Sequence, residues 1–480
     1  MRISKLYIKD LFGYEPREID FNLKGPTILT GPNGTGKTQT LRAIEALMNL
    51  NLSQIIRLPV KGVGAITDAG VRLEVNLEEM DEETPGRLRI RCQPANRSNA
   101  FEALIGVEEI YEAEEYNLRY ISSLEEDVPD ISKSAIRNLG FADIANKFYG
   151  SLDFRLDKFK GRHQPVFKSS LRNFEQREQV LRIIEAWPSI SCLSLDTRRL
   201  EIFALRERTG RWARYRSRTE AKSSIIDEYF RYVMTHIGRA KMSATKAGQS
   251  ADSSFATRAL NAAHESIKEE QIRSDYDAIV ARSNALAANG LNAGDNPPPL
   301  PDKKLNPTEK RILAVFLKDW NSRLLPLEPV NEKILLFRDL LDNKLSTSFK
   351  ATSVTEDSVG IVDSYGDPVD GASLSSGEQH LIALFSRLLF NTRPGSIVLI
   401  DEPEISLHPA WQHEFIDDLS RISELVSAQW IIATHSPSIV NGDWDLEIPL
   451  TISRPPKGIN TGKSLGQASE DYLEATDHDD

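Results

Sequence analysis

At 480 residues, 40% hydrophobic and 27% charged, the chain has the makeup of an ordinary globular protein with room for two or three domains. A formal net charge of −11 excludes a uniformly basic DNA-coating protein and leaves space for local basic patches. Its two cysteines, Cys92 and Cys192, form no Cys-x-x-Cys pair, so neither a disulfide framework nor a zinc site is expected and a cytoplasmic location follows.

Residues 1–23 alternate in strand fashion (Ile3, Leu6, Ile8, then Ile19, Phe21, Leu23) around a turn near Gly13 and Pro16, and show no signal-peptide pattern. The longest apolar runs, such as 397–400, are too short to cross a bilayer, so no membrane partner is expected. The strand pattern delivers the chain to Thr27-Ile28-Leu29-Thr30, and then to Gly31-Pro32-Asn33-Gly34-Thr35-Gly36-Lys37-Thr38-Gln39. Gly31-x4-Gly36-Lys37-Thr38 between a strand and a helix is a phosphate-binding loop. Glycines allow positive φ, so successive N–H groups converge on phosphate oxygens, and the helix that follows aims its positive dipole end at the same anion. Lys37 is placed to reach the β and γ phosphates of ATP, and the Thr38 hydroxyl to ligate Mg2+.

Residues 71–77 and 88–92 alternate as strands about a turn-rich 81–86. From about 108 to 186 the pattern is helical and heavily charged; 190–196 looks like a buried strand. A hairpin is expected across Thr209-Gly210, within the stretch 196–218. Between Arg198 and Arg218 stand eight arginines against two glutamates, with Trp212 and Tyr215 interleaved, a composition suited to nucleic acid or to an acidic partner face. Helices are expected at 223–238 and 254–288, a linker or hairpin tip at 290–301, and helix again at 310–344 interrupted at Pro326 and Pro329. The end, 455–480, reads as a flexible acidic tail.

The second half of the site lies far downstream. The buried strand pattern Ile397-Val398-Leu399-Ile400 ends in Asp401-Glu402, which places Asp401 to hold Mg2+ and Glu402 to polarise the attacking water. Before it, Leu374-Ser375-Ser376-Gly377-Glu378-Gln379 opens a helix whose free N–H groups, with Ser376, Gly377 and Glu378, make a second anion site; the same hexapeptide also fits a plain Ser-x-x-Glu helix cap. One subunit has no need of two γ-phosphate sites, whereas two copies stacked head to tail do. After it, a strand ending in Thr434-His435-Ser436 can set the His435 imidazole against the γ phosphate and the water.

These motifs in this order resemble those of ABC-type ATPases, in the branch of chromosome-maintenance and recombination heads that includes the SMC, RecF and OLD families. The resemblance covers roughly 1–95 and 350–450. It implies an α/β fold, a mixed-sheet ATPase head with flanking helices, interrupted by a largely helical insertion. The expected divisions are 1–95, an insertion at 96–349, 350–454 and the tail 455–480. It also implies ATP and Mg2+ as ligands, and roles for Lys37, Thr38, Asp401, Glu402, Ser376 and His435 as above. A narrower similarity, at Leu195-Asp196-Thr197-Arg198-Arg199-Leu200 and across 232–260, is to the ATPases of bacterial anti-phage systems of the Septu type, which also accompany some retrons. That group implies a partner HNH nuclease; this chain has no HNH-like pairing of its own. RecF-like or SMC-like DNA binding through 198–218 is the alternative.

Overall fold

Alternation over Ile3–Lys9 (β1) buries Ile3, Leu6 and Ile8 on one face, and Arg17–Asp20 (β2) returns antiparallel with Leu6 opposite Ile19. The computed structural model describes residues 1–14, 16–78, 86–95, 99–111, 174–187, 190–196, 224–261, 268–292, 294, 297–405 and 407–451. The basic hairpin expected within 196–218, most of the charged stretch from 108, and the acidic tail 455–480 lie outside the described residues.

A six-stranded antiparallel sheet forms in the order β2-β1-β4-β5-β6-β7, with β4 Gly62–Thr67, β5 Arg72–Glu78, β6 Arg87–Gln93 and β7 Phe101–Gly106. Residue 95 lies in the connection between β6 and β7, so this sheet continues to Gly106. The second sheet is five-stranded and wholly parallel. Thr27–Thr30 (β3) is flanked by Glu447–Pro449 (β14) and Gln429–Ala433 (β13), followed by Ile397–Asp401 (β12) and Cys192–Asp196 (β8). A third sheet of three short strands, Lys350–Val354 (β9), Val359–Asp363 (β10) and Pro368–Val369 (β11), stands apart.

The parallel sheet divides two hydrophobic cores, and its pleat decides which residue enters which. Ile397 and Leu399 of β12, with Ile431 and Ala433 of β13, face the core shared with the antiparallel sheet. Val398 and Ile400, with Trp430 and Ile432, face the core built with the helices. A strand buried on both sides reads as an unbroken apolar run, which is why these segments stood out. Between the sheets lies Lys37–Met48 (α1), whose Leu41, Ile44, Leu47 and Met48 make a buried stripe at helical spacing.

The helical part comprises Leu52–Arg57 (α2), Phe174–Ala186 (α3), Ile225–Asn261 (α4), Glu269–Ala287 (α5), Pro307–Leu324 (α6) and Glu328–Leu345 (α7). The third of these, α4, corrects the expectation of separate helices at 223–238 and 254–288: one helix of 37 residues runs through the gap. The intervening segment is rich in alanine, lysine and other tolerated helix residues, and its single glycine, Gly248, does not break it. Gly248 instead makes room for Arg323, whose Nε would lie 2.7 Å from a Cβ there. The interruption expected at Pro326 and Pro329 is a 3-10 turn, Leu325–Leu327, joining α6 to α7. Ser376–Ser386 (α8), Pro409–His413 (α9), Phe415–Leu425 (α10) and Pro437–Val440 (α11) complete the head. Tyr229, Phe230, Val233 and Ile237 of α4 share the helical core with Leu381, Ile382 and Phe385 of α8. The architecture is thus an α/β head interrupted by a largely helical insertion.

Candidate nucleotide-binding site

Three parallel strands end side by side, and each end carries a motif: β3 the phosphate loop, β12 Asp401-Glu402, β13 Thr434-His435. Ligand sites in such sheets form outside the carboxyl ends of the strands. The loop takes positive φ at Gly31 (143°), Gly34 (84°) and Gly36 (88°). Two of these glycines also have no space for a side chain: a Cβ on Gly31 would lie 2.6 Å from the Leu450 carbonyl oxygen, and one on Gly36 the same distance from Leu11 Cδ2. Gly36 is the N-cap of α1 and no side chain caps the helix, so the N–H groups of its first turn face the loop unblocked by a capping side chain. Pro32, Asn33 and Gly34 form the exposed tip, while Thr35 and Lys37 are buried and Thr38 and Gln39 are half-buried.

Lys37 Nζ donates to the Gly31 carbonyl at 2.7 Å, the Pro32 carbonyl at 3.3 Å and His435 Nδ1 at 3.0 Å. An ammonium only donates, so Nδ1 accepts and the neutral imidazole carries its proton on Nε2. That nitrogen lies 4.0 Å from Glu402 Oε1. Burial pushes the Lys37 amine below its ordinary range, and Glu402, Glu404 and Asp401 pull it back up. Thr38 Oγ1 donates to Asp401 Oδ1 at 3.2 Å. Glu402 leaves β12 with left-handed backbone (φ 51°), its N–H donating to the Ala433 carbonyl at 2.8 Å. Lys37, Thr38, Asp401, Glu402 and His435, scattered over 399 positions, therefore converge in one place.

The donor set fits the ligands expected. A hydroxyl and a carboxylate placed together suit Mg2+, which takes one or two protein oxygens and completes its shell with phosphate and water. Among the described residues no cluster of three His, Cys, Asp or Glu side chains could hold a metal by itself. The glycine cradle and uncapped helix suit a polyphosphate.

Ser376 and Gly377 are elsewhere. They open α8, with Ser376 exposed, and among the described residues no hydrogen bond or ion pair joins either to the phosphate loop. The helix is closed by the Ser-x-x-Glu box: Ser375 Oγ accepts from Glu378 N at 3.3 Å, and Glu378 Oε2 accepts from Ser375 N at 2.8 Å. Glu378, expected to contact nucleotide, is buried in the single chain and caps this helix. Its Oε1 accepts from Ser348 Oγ and Lys350 Nζ, each at 2.8 Å. Burial alone would raise its pKa, but the hydrogen bonds from Lys350, Ser348 and Ser375 outweigh this and hold the carboxyl down to about 2.

Three further residues contribute from outside the motifs. Glu404 Oε1 accepts from the His435 N–H and its Oε2 from Thr434 Oγ1, both at 2.8 Å, clipping the histidine loop to the end of β12. Arg17 Nη1 donates to the Thr35 carbonyl at 3.0 Å from β2. Glu447 of β14 accepts from the Thr30 hydroxyl, and Leu450 N donates to the Thr30 carbonyl at 2.8 Å. Only the acid two residues past Asp401-Glu402 left any local signal; the others depend on tertiary pairing.

Residues 282–441 match the family described as AAA domain, putative AbiEii toxin, Type IV TA system, a stretch that takes in Ser376, Asp401, Glu402 and His435. A retron Ec83 probable ATPase from Escherichia coli is 28% identical over 163 residues, 28% of this chain and 30% of that protein. A retron Vc95 probable ATPase from Vibrio cholerae is 36% identical over 86 residues, 16% of each. The matches thus span less than a third of either relative's length. The Smc head domain of Pyrococcus furiosus, solved with an extended coiled coil and the C-terminal domain of ScpA, aligns over 99% of both chains at 14% identity with a TM-score of 0.33. A superposition that loose adds nothing to the topology already described.

Proposed function

We propose that this chain, which carries an AAA-type ATPase domain and is related to retron ATPases, binds and hydrolyses ATP as the regulatory subunit of an anti-phage defence complex. The observation that carries the ATPase reading is the meeting of Lys37 with His435 and of Thr38 with Asp401 at the ends of three parallel strands. Lys37 and the loop amides would hold the phosphates, and Thr38 and Asp401 would hold Mg2+, which neutralises phosphate charge when bound. Glu402 would accept the proton of the attacking water, and His435, its proton on Nε2, would orient that water and the γ phosphate. Such a chain is expected to work as a head-to-tail pair, with the exposed Ser376 at the start of α8 of one copy completing the nucleotide site of the other.

The defence role is supported by the relatives' names and by the family description; a separate nuclease, of HNH type if the assembly is Septu-like, is the expected effector. Tagged Glu402→Gln protein, purified from its native host with ATP, tests this through the proteins it carries, identified by mass spectrometry. A stoichiometric small nuclease is the expected result. DNA alone, lost on neutralising Arg211, Arg214, Arg216 and Arg218, would replace the defence role with direct DNA binding.

A further inference from the structure

Two phenylalanines combine unfavourable backbone with exposed rings. Phe12 (φ 54°, 43% exposed) and Phe349 (φ 56°, 76% exposed) both occupy the left-handed region. A bulky residue there carries strain that glycine or asparagine avoids, and a ring left in solvent does not offset it by burial within its own chain.

Each ring also marks one half of the nucleotide machinery. Phe349 follows the 3-10 turn Ser346–Ser348, with its N–H donating to the Ser346 carbonyl at 3.0 Å. The residues on either side, Ser348 and Lys350, both bond the Glu378 carboxylate that caps α8. Through these neighbours Phe349 is anchored to the acid that caps the helix start carrying the exposed Ser376. Phe12 belongs to the other half: its N–H donates to the Pro59 carbonyl at 2.8 Å, and a Cβ on Gly36 would lie 3.6 Å from its ring.

We infer that Phe349 is an interface residue that docks, in the ATP-closed pair, on the surface around Phe12 of a second copy of this chain. This rests on the head-to-tail reading above. Bringing Ser376 of one copy to the phosphate loop of another brings the neighbours of each together, and the two aromatics then rim the same nucleotide. Rings meeting there exclude water and bury apolar surface that the single chain leaves exposed.

Phe349→Asn separates interface from fold, because asparagine tolerates left-handed backbone better than phenylalanine. Its melting temperature should equal or exceed that of the parent, and dilute monomer should bind a fluorescent ATP analogue unchanged. In the Glu402→Gln background with Mg2+ and ATP, sedimentation velocity should show the dimer dissociation constant rising about tenfold or more on adding Phe349→Asn. Phe349→Trp should retain the dimer. An unchanged constant overturns the inference while leaving the head-to-tail pair standing. No ATP-dependent dimer in the Glu402→Gln protein overturns both.

Discussion

The two halves of the proposed nucleotide site are built by different physics. The phosphate-loop half hangs from the ends of parallel strands buried on both faces, where β3, β12 and β13 fix Lys37, Asp401, Glu402 and His435 through backbone pairing. The signature half is one exposed helix start propped from beneath by one buried charge cluster, Glu378 with Lys350 and Ser348. The first is rigid because many weak contacts agree; the second depends on few strong ones. Substitutions in the first half should therefore remove chemistry and spare the fold, and those in the buried charge cluster beneath the second should do the reverse.

The largest effect is expected at the strand ends. Glu402→Gln should lower ATP turnover by about 10²–10⁴-fold, and Lys37→Ala by about a thousandfold, with thermal unfolding little changed, as steady-state phosphate release and calorimetry would show. Glu378→Ala should do the opposite, leaving the Lys350 ammonium, 20% exposed, without its carboxylate. Removing one member of such a pair costs about 3 kcal/mol, read as a lower denaturation midpoint.

The same cluster sets an acid limb. Glu378 is held at about 2 against an ordinary 4.5, so its folded pKa is depressed. Its contribution to stability is complete above pH 4.5 and is lost as pH falls from there through 2. Chemical denaturation between pH 5 and 2.5 should show a shallower loss in Glu378→Gln than in the parent.

A smaller effect should mark the seam between strand ends. Glu404→Gln replaces one of two accepting oxygens with a donor facing the His435 N–H or the Thr434 hydroxyl, and His435 should drift from the γ-phosphate position. Turnover number should fall about tenfold to a hundredfold while KM for ATP moves little, since Lys37 and the loop are untouched. Smallest of all, Ser375→Ala removes one half of the cap on α8 and should cost about 1 kcal/mol.

What the sequence made legible follows the same division. The phosphate loop, Asp401-Glu402 and His435 were readable because their chemistry needs particular residues at fixed local spacing, and because a strand buried on both faces reads as a continuous apolar run. Glu378 reads two ways for a local reason: Ser-x-x-Glu is at once a helix cap and the beginning of the signature segment, and it is the distant Ser348 and Lys350 that hold the acid inward. Arg17 and Glu447 were invisible as site residues and Glu404 was marked only by its place beside Asp401-Glu402, since each acts on backbone or hydroxyls brought near by sheet order. The unbroken α4 was hidden because alanine-rich sequence with glycines carries a weak periodic signal, and its continuity comes from packing against α6 and α8.

Mixing two damaged proteins shows whether one nucleotide site needs two copies of the chain. Lys37→Ala loses the phosphate loop but keeps its signature helix; Ser376→Arg keeps the loop and blocks the helix. Each alone should be nearly inactive, and an equimolar mixture should recover ATP turnover, because one of the two composite sites then has both sound halves. Full turnover by Ser376→Arg alone would show a site complete within one chain and contradict the account.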